Sequence, residues 1–177
     1  LELTADIKLN GGKFTVGENG EPLYNGEATD ESELLTFEPI SEFNGTFNGN
    51  NHVIDGIYCK GRGLFEKASG AVIRNVIIKN SLFDSRSSAS EKVGSVCGEA
   101  ISSEISGCKF FATVLSSANK VGGIVGYAES SVIDNCQNIG YVLGKSCVGG
   151  VVGELASTEK LTICLNKGTV AATGDYV

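Results

Sequence analysis

The segment VGGIVGYAESSVIDNCQNIGYV (121–142) decides the fold, because two neighbouring stretches repeat it. It aligns column by column with VGSVCGEAISSEISGCKFFATV (93–114) and with VGGVVGELASTEKLTICLNKGTV (148–170), which has one extra residue. Two columns recur every 28 residues by subtraction: Cys108, Cys136 and Cys164, and Val114, Val142 and Val170. Internal repetition at this period indicates a solenoid, a propeller or a similar array.

The repeat continues upstream in a degenerate form. GLFEKASGAVIRNVIIKNSL (63–82) fits the template, with Leu82 in the valine column, and GTFNGNNHVIDGI (45–57) is a shortened version. The thiol column, named for its cysteines, is therefore predicted to contain Ile57, Val76, Cys108, Cys136 and Cys164. A second apolar column lies three residues earlier: Ile54, Ile73, Ile105, Ile133 and Leu161.

The residue types favour a parallel β-helix among the repeat architectures. The chain contains 24 glycines, and its apolar residues form short β-branched clusters without helical spacing. The leucine-rich pattern is missing, and propeller blades need more residues per unit. We therefore predict an all-β fold, a single-stranded parallel β-helix of about six coils.

Corners of the coil can be predicted as well. Two apolar positions three apart break strand alternation, so a turn must separate them. The residue immediately before each thiol-column position is of a type that tolerates positive φ in four of five coils. These residues are Gly56, Asn75, Gly107 and Asn135, with Ile163 as the exception. A second corner is predicted at Asn80, Gly140 and Gly168, with Ala112 as the exception.

We predict one domain over residues 1–177, with repeats from about residue 43 that are most regular over 93–175. LELTADIKL (1–9) alternates apolar residues and is expected to start the stack as a strand. The acidic segment 17–33 does not fit the repeat, and we expect a surface loop or a partial cover over the open end. The last residue falls where another VGG would begin, which predicts a fragment of a longer protein.

Charge and cysteine content restrict the possible partners. The net charge of −7 argues against nucleic acid and anionic membranes, and we find no apolar run that could span a bilayer. Six cysteines in a secreted protein would ordinarily suggest disulfides. Three of them share one predicted buried column, where cysteine acts as a small hydrophobe, so a reduced stack is favoured. Bridging between neighbouring coils stays open, because their Cα spacing is compatible with a disulfide.

The repeats resemble the GLUG-repeat proteins, which are large surface and secreted proteins of gut-dwelling bacteria. The resemblance covers roughly residues 36–177, and its motifs are Gly63-Leu64-Phe65, Gly123-Ile124-Val125-Gly126 and Gly150-Val151-Val152-Gly153. It implies a right-handed parallel β-helix in an extracellular multidomain protein. Similar repeats occur in adhesins and precede the catalytic domain of immunoglobulin-A-cleaving metallopeptidases. The resemblance implies no catalytic residues.

Catalytic chemistry has little support in the sequence. His52 is the single histidine, so the chain lacks the second histidine that the zinc-binding motif of a zinc peptidase requires. The alternative function is a polysaccharide lyase or hydrolase acting on an outer face, which needs carboxylates and a base on adjacent coils. The best candidate column for it is Asp55, Arg74, Ser106, Asp134 and Thr162. The acidic loop lacks a regular calcium-ligand pattern, so calcium binding stays open.

Two tyrosines are the candidate ligand contacts. Tyr127 shares its column with Glu99 and Glu154, and Tyr141 shares its column with Thr113 and Thr169, which predicts outward-facing rings. The sequence therefore predicts a noncatalytic structural or adhesive module of a bacterial extracellular protein, without cofactor or metal. Its expected partners are further domains or repeats of the same polypeptide and a host glycan or protein.

Overall fold

The computed structural model describes residues 1–157 and 160–174. Their strands stack as parallel sheets of a β-solenoid of about five turns. The predicted all-β parallel fold is confirmed, with about one turn fewer than the six expected.

The strands are short, as expected for the straight segments between the corners of a coil. In chain order they are β1 (Ile7–Lys8), β2 (Phe14–Val16), β3 (Pro22–Tyr24), β4 (Glu27–Ala28), β5 (Ile40–Phe43), β6 (Thr46–Asn48), β7 (Val53–Asp55), β8 (Tyr58–Cys59), β9 (Phe65–Ser69), β10 (Val72–Arg74), β11 (Ile77–Asp84), β12 (Lys92–Gly94), β13 (Cys97–Ile101), β14 (Glu104–Ser106), β15 (Lys109–Leu115), β16 (Lys120–Gly122), β17 (Val125–Glu129), β18 (Val132–Asp134), β19 (Gln137–Asn138), β20 (Tyr141–Gly144), β21 (Val148–Gly149), β22 (Val152–Ala156), β23 (Lys160–Thr162), β24 (Leu165–Asn166) and β25 (Thr169–Ala172). A 3₁₀-helix covers Glu31–Glu33.

These strands form five sheets. Sheet A has the order β5-β9-β13-β17-β22, and sheet B has the order β6-β10-β14-β18-β23. Sheet C contains nine strands, with β1-β7-β11-β15-β19-β24 as its main path, and sheet D is β12-β16-β21. Sheets A to D run parallel around the solenoid. The fifth, the side sheet β2-β3-β4, is antiparallel.

The interior consists of stacked apolar columns. In sheet B the register joins Phe47, Ile73, Ile105, Ile133 and Leu161. The thiol column joins Val76, Cys108, Cys136 and Cys164, because each following residue donates its N–H to the carbonyl of the coil before. Cys97 lies in sheet A between Phe65 and Val125, with no exposed surface. The chain thus fills a narrow interior with residues of similar size on each turn.

The register of the first coil differs from the prediction. Ile57 is not in the thiol column; it lies beside Ser81 and Leu82, where its carbonyl accepts from the Leu82 N–H at 2.7 Å. Ile54 pairs with Ile78, and Phe47 takes the predicted place of Ile54 opposite Ile73. The physical reason is unequal coil length: equivalent residues are 26 apart from Phe47 to Ile73 by subtraction and 32 apart from Ile73 to Ile105.

A bulge also displaces the valine column. The register of β11 against β15 shifts between Lys79 and Leu82, so Phe83, not Leu82, stacks on Val114. Leu82 then points outward and packs beneath the side sheet. An unpaired bulge residue reverses the facing of the residues that follow it, which explains the error of one position.

The predicted corners are correct at one position of the coil and wrong at the other. Positive φ occurs at all five residues of the first set: Gly56, Asn75, Gly107, Asn135 and Ile163. Gly56, however, lies beside Asn80 at the second corner, because Asp55 pairs with Lys79 in the displaced first coil. At the second set only Asn80 has positive φ. Gly140 is required for close stacking instead, because a Cβ there would lie 2.1 Å from the Ala112 carbonyl oxygen.

The N-terminal segment covers the first coil and one flank. β1 is shorter than the predicted strand, although Leu3, Leu9 and Asn10 also bond to the coil below. The segment expected as an acidic loop contains β3, β4 and the 3₁₀-helix of Glu31–Glu33. The side sheet packs on the outside of sheet C through Phe14, Tyr58, Leu82 and Leu115. It therefore covers a lateral face of the solenoid.

Candidate functional site

The thiol column is a structural feature of the core. All six cysteines are free thiols. Hydrogen bonding to the neighbouring Cys108 thiol raises the pKa of Cys136, and hydrogen bonding to Cys136 raises that of Cys164. Burial raises the pKa of Cys97 to about 12 and that of Cys59 to about 11. A nucleophilic cysteine needs a lowered pKa, so these four thiols are packing residues.

The predicted candidate column forms in sheet B from Arg74 through Ser106 and Asp134 to Thr162, and only Asp55 lies outside it. Asp55 lies opposite Lys79 and accepts from the Asn80 amide at 2.9 Å. Arg74 stacks between Asn48 and Ser106, so Asn48 takes the predicted place of Asp55. Asp134 accepts from the hydroxyl of Thr162, its neighbour in the predicted column. The lyase or hydrolase alternative thereby keeps a single carboxylate in this column, that of Asp134, whereas it needs carboxylates on adjacent coils.

His52 lies on the outside of the first coil. Its Nδ1 is 3.1 Å from an Asp6 carboxylate oxygen, and that oxygen also accepts from the Val53 N–H at 2.8 Å. The hydrogen bond from Val53 and that from His52 lower the pKa of Asp6. Over residues 1–157 and 160–174, no group of three or more His, Cys, Asp and Glu side chains has a geometry that could hold a metal ion.

A charged cluster anchors the 3₁₀-helix to the solenoid. Lys60 forms an ion pair with Glu31, and its hydrogen bond lowers the pKa of Glu31. Arg86 binds both carboxylate oxygens of Asp84, at 2.9 and 2.6 Å. Burial raises the pKa of Tyr58, which lies beside this cluster, far above its ordinary value. A tyrosine held in its neutral form does not act as a general base at neutral pH, so this cluster tethers the segment rather than performing chemistry.

Tyr127 is held by charged neighbours from its own coil and from adjacent coils. Its ring centroid lies 4.2 Å from the Lys92 ammonium and 4.5 Å from that of Lys120. The hydroxyl donates to Glu129 at 2.9 Å, and this bond raises the pKa of Tyr127. Lys120 also pairs with Glu154 at 2.9 Å. The ring already forms two cation–π contacts and is not a free platform for a sugar ring.

Tyr141 lies in a groove on the other side of the solenoid. The floor of the groove is the outer face of sheet C, and the wall is β2 of the side sheet. Its volume is about 410 Å³, and it opens to solvent on one side. The floor includes Phe111, Ile139 and Tyr141, while Lys13 and Lys167 carry the charge. This is the one predicted ligand contact that the structure places in a concavity.

The position of the side sheet creates the groove. β2 packs over β11 and β15 but leaves the later coils uncovered. Thr113 is therefore buried, whereas its column neighbour Thr169 is exposed and Tyr141 between them is half-buried. The step from covered to uncovered coils forms a ledge along the solenoid. Among the described residues, Lys13 and Lys167 are the only charged groups lining it.

The wall of this groove was not predicted from the sequence. The signal for it was Asn25-Gly26, which lies between β3 and β4 and is typical of a tight hairpin. Asn25 has a φ of 56° and Gly26 one of 86°, as such a turn requires. Phe14 and Val16 of β2 and Leu23 of β3 supply apolar residues of the side sheet.

No family model, no curated protein and no solved structure matches the chain. The similarity to GLUG-repeat proteins therefore stays a prediction from the motifs. Over the described residues no helix is both long and apolar enough to cross a membrane.

Proposed function

We propose that this chain is a noncatalytic structural and adhesive module of a bacterial extracellular surface protein. It acts as a stiff spacer that also presents a lateral binding face. The observation that carries the proposal is the unbroken stacking of its interior, in which the thiol column and the sheet B column each continue from coil to coil. In such an array each coil is stabilised by its neighbours, so stiffness arises from the stack as a whole.

The dimensions support a spacer with a binding role. Five turns at roughly 4.8 Å per coil give a stack about 24 Å long. We propose that further repeats or domains of the same polypeptide cover the last coil. Its apolar side chains support this assignment, since Leu161, Ile163 and Leu165 are all exposed there.

The groove of Tyr141 is the best-supported binding face, and its proposed ligand is a host glycan or protein. Aromatic residues with one apolar face and one polar tip are common at recognition surfaces. Tyr127 is a weaker candidate because its ring contacts two lysines.

Two measurements test the spacer and its lack of catalysis. Amide hydrogen exchange should show sheets A, B and C opening together, at a free energy near that of global unfolding. Coils that open one by one under native conditions would contradict a stiff module.

Incubation with a panel of acidic and neutral polysaccharides tests the noncatalytic assignment and should release no unsaturated or reducing-end products. Product release that is abolished by substituting outer-face carboxylates would overturn that assignment.

A third measurement tests the binding face. Arrays of host glycans and matrix proteins should yield a ligand whose binding falls with Tyr141→Ala and persists with Tyr127→Ala. Tyr127→Ala serves as the matched control in the same assay, because it removes an outward tyrosine from a different sheet, sheet A. Equal binding by Tyr141→Ala and the unaltered protein would remove the groove from consideration.

A further inference from the structure

We propose that the groove of Tyr141 binds an extended acidic peptide, which adds as a fourth strand to the free edge of β2. This inference rests on the proposed binding function and assigns the class of partner. Polypeptide strands that add to an open sheet edge gain affinity from main-chain hydrogen bonds and specificity from the side-chain pockets beside it.

β2 is an edge strand whose outer peptide groups face away from β3. The side sheet has the order β2-β3-β4, so β2 has a partner on one side only. Asn25 donates its N–H to the Lys13 carbonyl at 2.9 Å, and Gly17 donates to the Glu21 carbonyl at 2.9 Å. Hydrogen-bonded pairs alternate along an antiparallel ladder, so Phe14 and Val16 direct their N–H and C=O groups toward the free edge.

The residue opposite Val16 agrees with this alternation. Val16 pairs with Pro22, which has no N–H to donate. A proline is tolerated there because this pair exchanges no hydrogen bonds. The free edge of β2 therefore offers the alternating donors and acceptors that a peptide strand satisfies and that a polysaccharide does not match.

The floor beside that edge is suited to a strand of alternating character. Phe111, Ile139 and Tyr141 provide apolar surface, and Ile139 is 38% exposed. An incoming strand would lie over them at the spacing of a stacked sheet, with alternate side chains facing down. The three residues of β2 extend over roughly 10 Å, so about three or four peptide residues would pair with the edge.

The charge of the groove determines the chemistry of the peptide. Lys13 and Lys167 line it without any acidic residue among the described lining residues. The chain as a whole has a net charge of −7, so this local excess of positive charge is opposite to the overall balance. Carboxylate side chains would be attracted to the groove and repelled elsewhere on the surface, which favours an acidic segment.

The probe for the test is a fluorescent nine-residue peptide, EVTVEVTVE, measured by fluorescence anisotropy against the intact chain. We expect saturable binding that weakens with added salt. The Gln analogue QVTVQVTVQ should bind about tenfold more weakly, because one or two charge-assisted contacts are lost. Equal binding of the two peptides would overturn the acidic preference.

Backbone methylation of the peptide tests strand addition directly. One version carries N-methyl groups on its valines, and the other carries them on the Glu and Thr residues. Consecutive N–H groups of a strand point to opposite edges, so only one version should lose binding. Loss in neither version, or in both, would contradict pairing along one edge.

Val16→Pro removes one outward donor while leaving the β2–β3 bonds intact, and Val16→Thr is the matched control that keeps the donor. The proline variant should bind at least about tenfold more weakly, and the threonine variant should bind within about twofold of the unaltered chain. Because hydrogen exchange at β3 reports whether the side sheet is folded, an intact sheet with unchanged peptide binding would overturn the proposal. If no peptide binds while the sheets still open as one unit, the partner assignment fails and the spacer function stands.

Discussion

The corner at Ile163 allows a sharp test of how this sequence builds its coils. Ile163 has a φ of 53° and is 79% exposed. The equivalent corner on the preceding coil is Asn135, with a φ of 49°. A left-handed conformation costs an ordinary L-residue roughly 1–2 kcal/mol, and asparagine adopts it more readily. Ile163→Asn should therefore stabilise the last coil.

The expected magnitude follows from two opposing effects. Burying a whole isoleucine side chain contributes about 1.5–3 kcal/mol, so the one fifth of Ile163 that is covered contributes about 0.5 kcal/mol. Relief of the backbone exceeds this loss and leaves a net gain of about 1 kcal/mol. For a domain of this length that gain corresponds to a rise in Tm of about 2–4 °C.

The assay is thermal and urea unfolding, with amide exchange at β23 and β24 to locate the effect. Ile163→Val is the matched control, because it keeps the β-branched strain and should leave Tm nearly unchanged. Asn135→Ile should produce the opposite change, since it introduces the same strain at an exposed corner one coil earlier. A fall in stability for Ile163→Asn, or an equal gain for Ile163→Val, would refute the reasoning.

Two further predictions concern the core. Because the pKa values of buried Cys59 and Cys97 are raised to about 11 and about 12, their thiols ionise more readily in the unfolded chain. Stability should be complete below about pH 8.5 and fall as the pH rises toward those values, by about 2 kcal/mol per thiol near pH 10. Urea unfolding across this range should show a shallower decline for Cys97→Val, and an unchanged slope would contradict the effect of burial. Asn138 is fully buried, donates to Asn166 at 2.8 Å and accepts from Gly140 at 2.9 Å. Asn138→Ala should cost about 1–3 kcal/mol because it removes the acceptor of the partly buried Gly140 N–H and the donor to Asn166. Asn166→Ala should also destabilise, because it leaves the buried Asn138 amide without its acceptor. Denaturant unfolding that shows no loss for either variant would contradict the contribution of this bond.

The regular coils were predictable from the sequence. Where the period is a constant 28 residues, the columns of Cys108, Cys136 and Cys164 and of Val114, Val142 and Val170 pair as expected. Stacked coils require equivalent residues to face the same interior, so periodicity alone determines their register. The corner before the thiol column was predictable in the regular coils for a similar reason, since positive φ restricts residue type, whereas the second predicted corner was wrong.

The first coils could not be predicted in the same way. Coil lengths of 26 and 32 residues and the bulge after Lys79 placed Ile57 and Leu82 outside their predicted columns. An insertion in a corner leaves no periodic signal, because the residues around it still alternate. Only backbone pairing shows which residues stack across it.

The candidate site depended most on tertiary structure. The sequence by itself determined that Tyr127 and Tyr141 face outward, because their columns contain polar residues on neighbouring coils. Packing decided that Lys92 and Lys120 contact Tyr127, while the side sheet makes a groove beside Tyr141. These contacts join residues that are distant along the chain or lie outside the repeat. Periodicity specifies the direction of a side chain, whereas its neighbours depend on how separate segments pack around it.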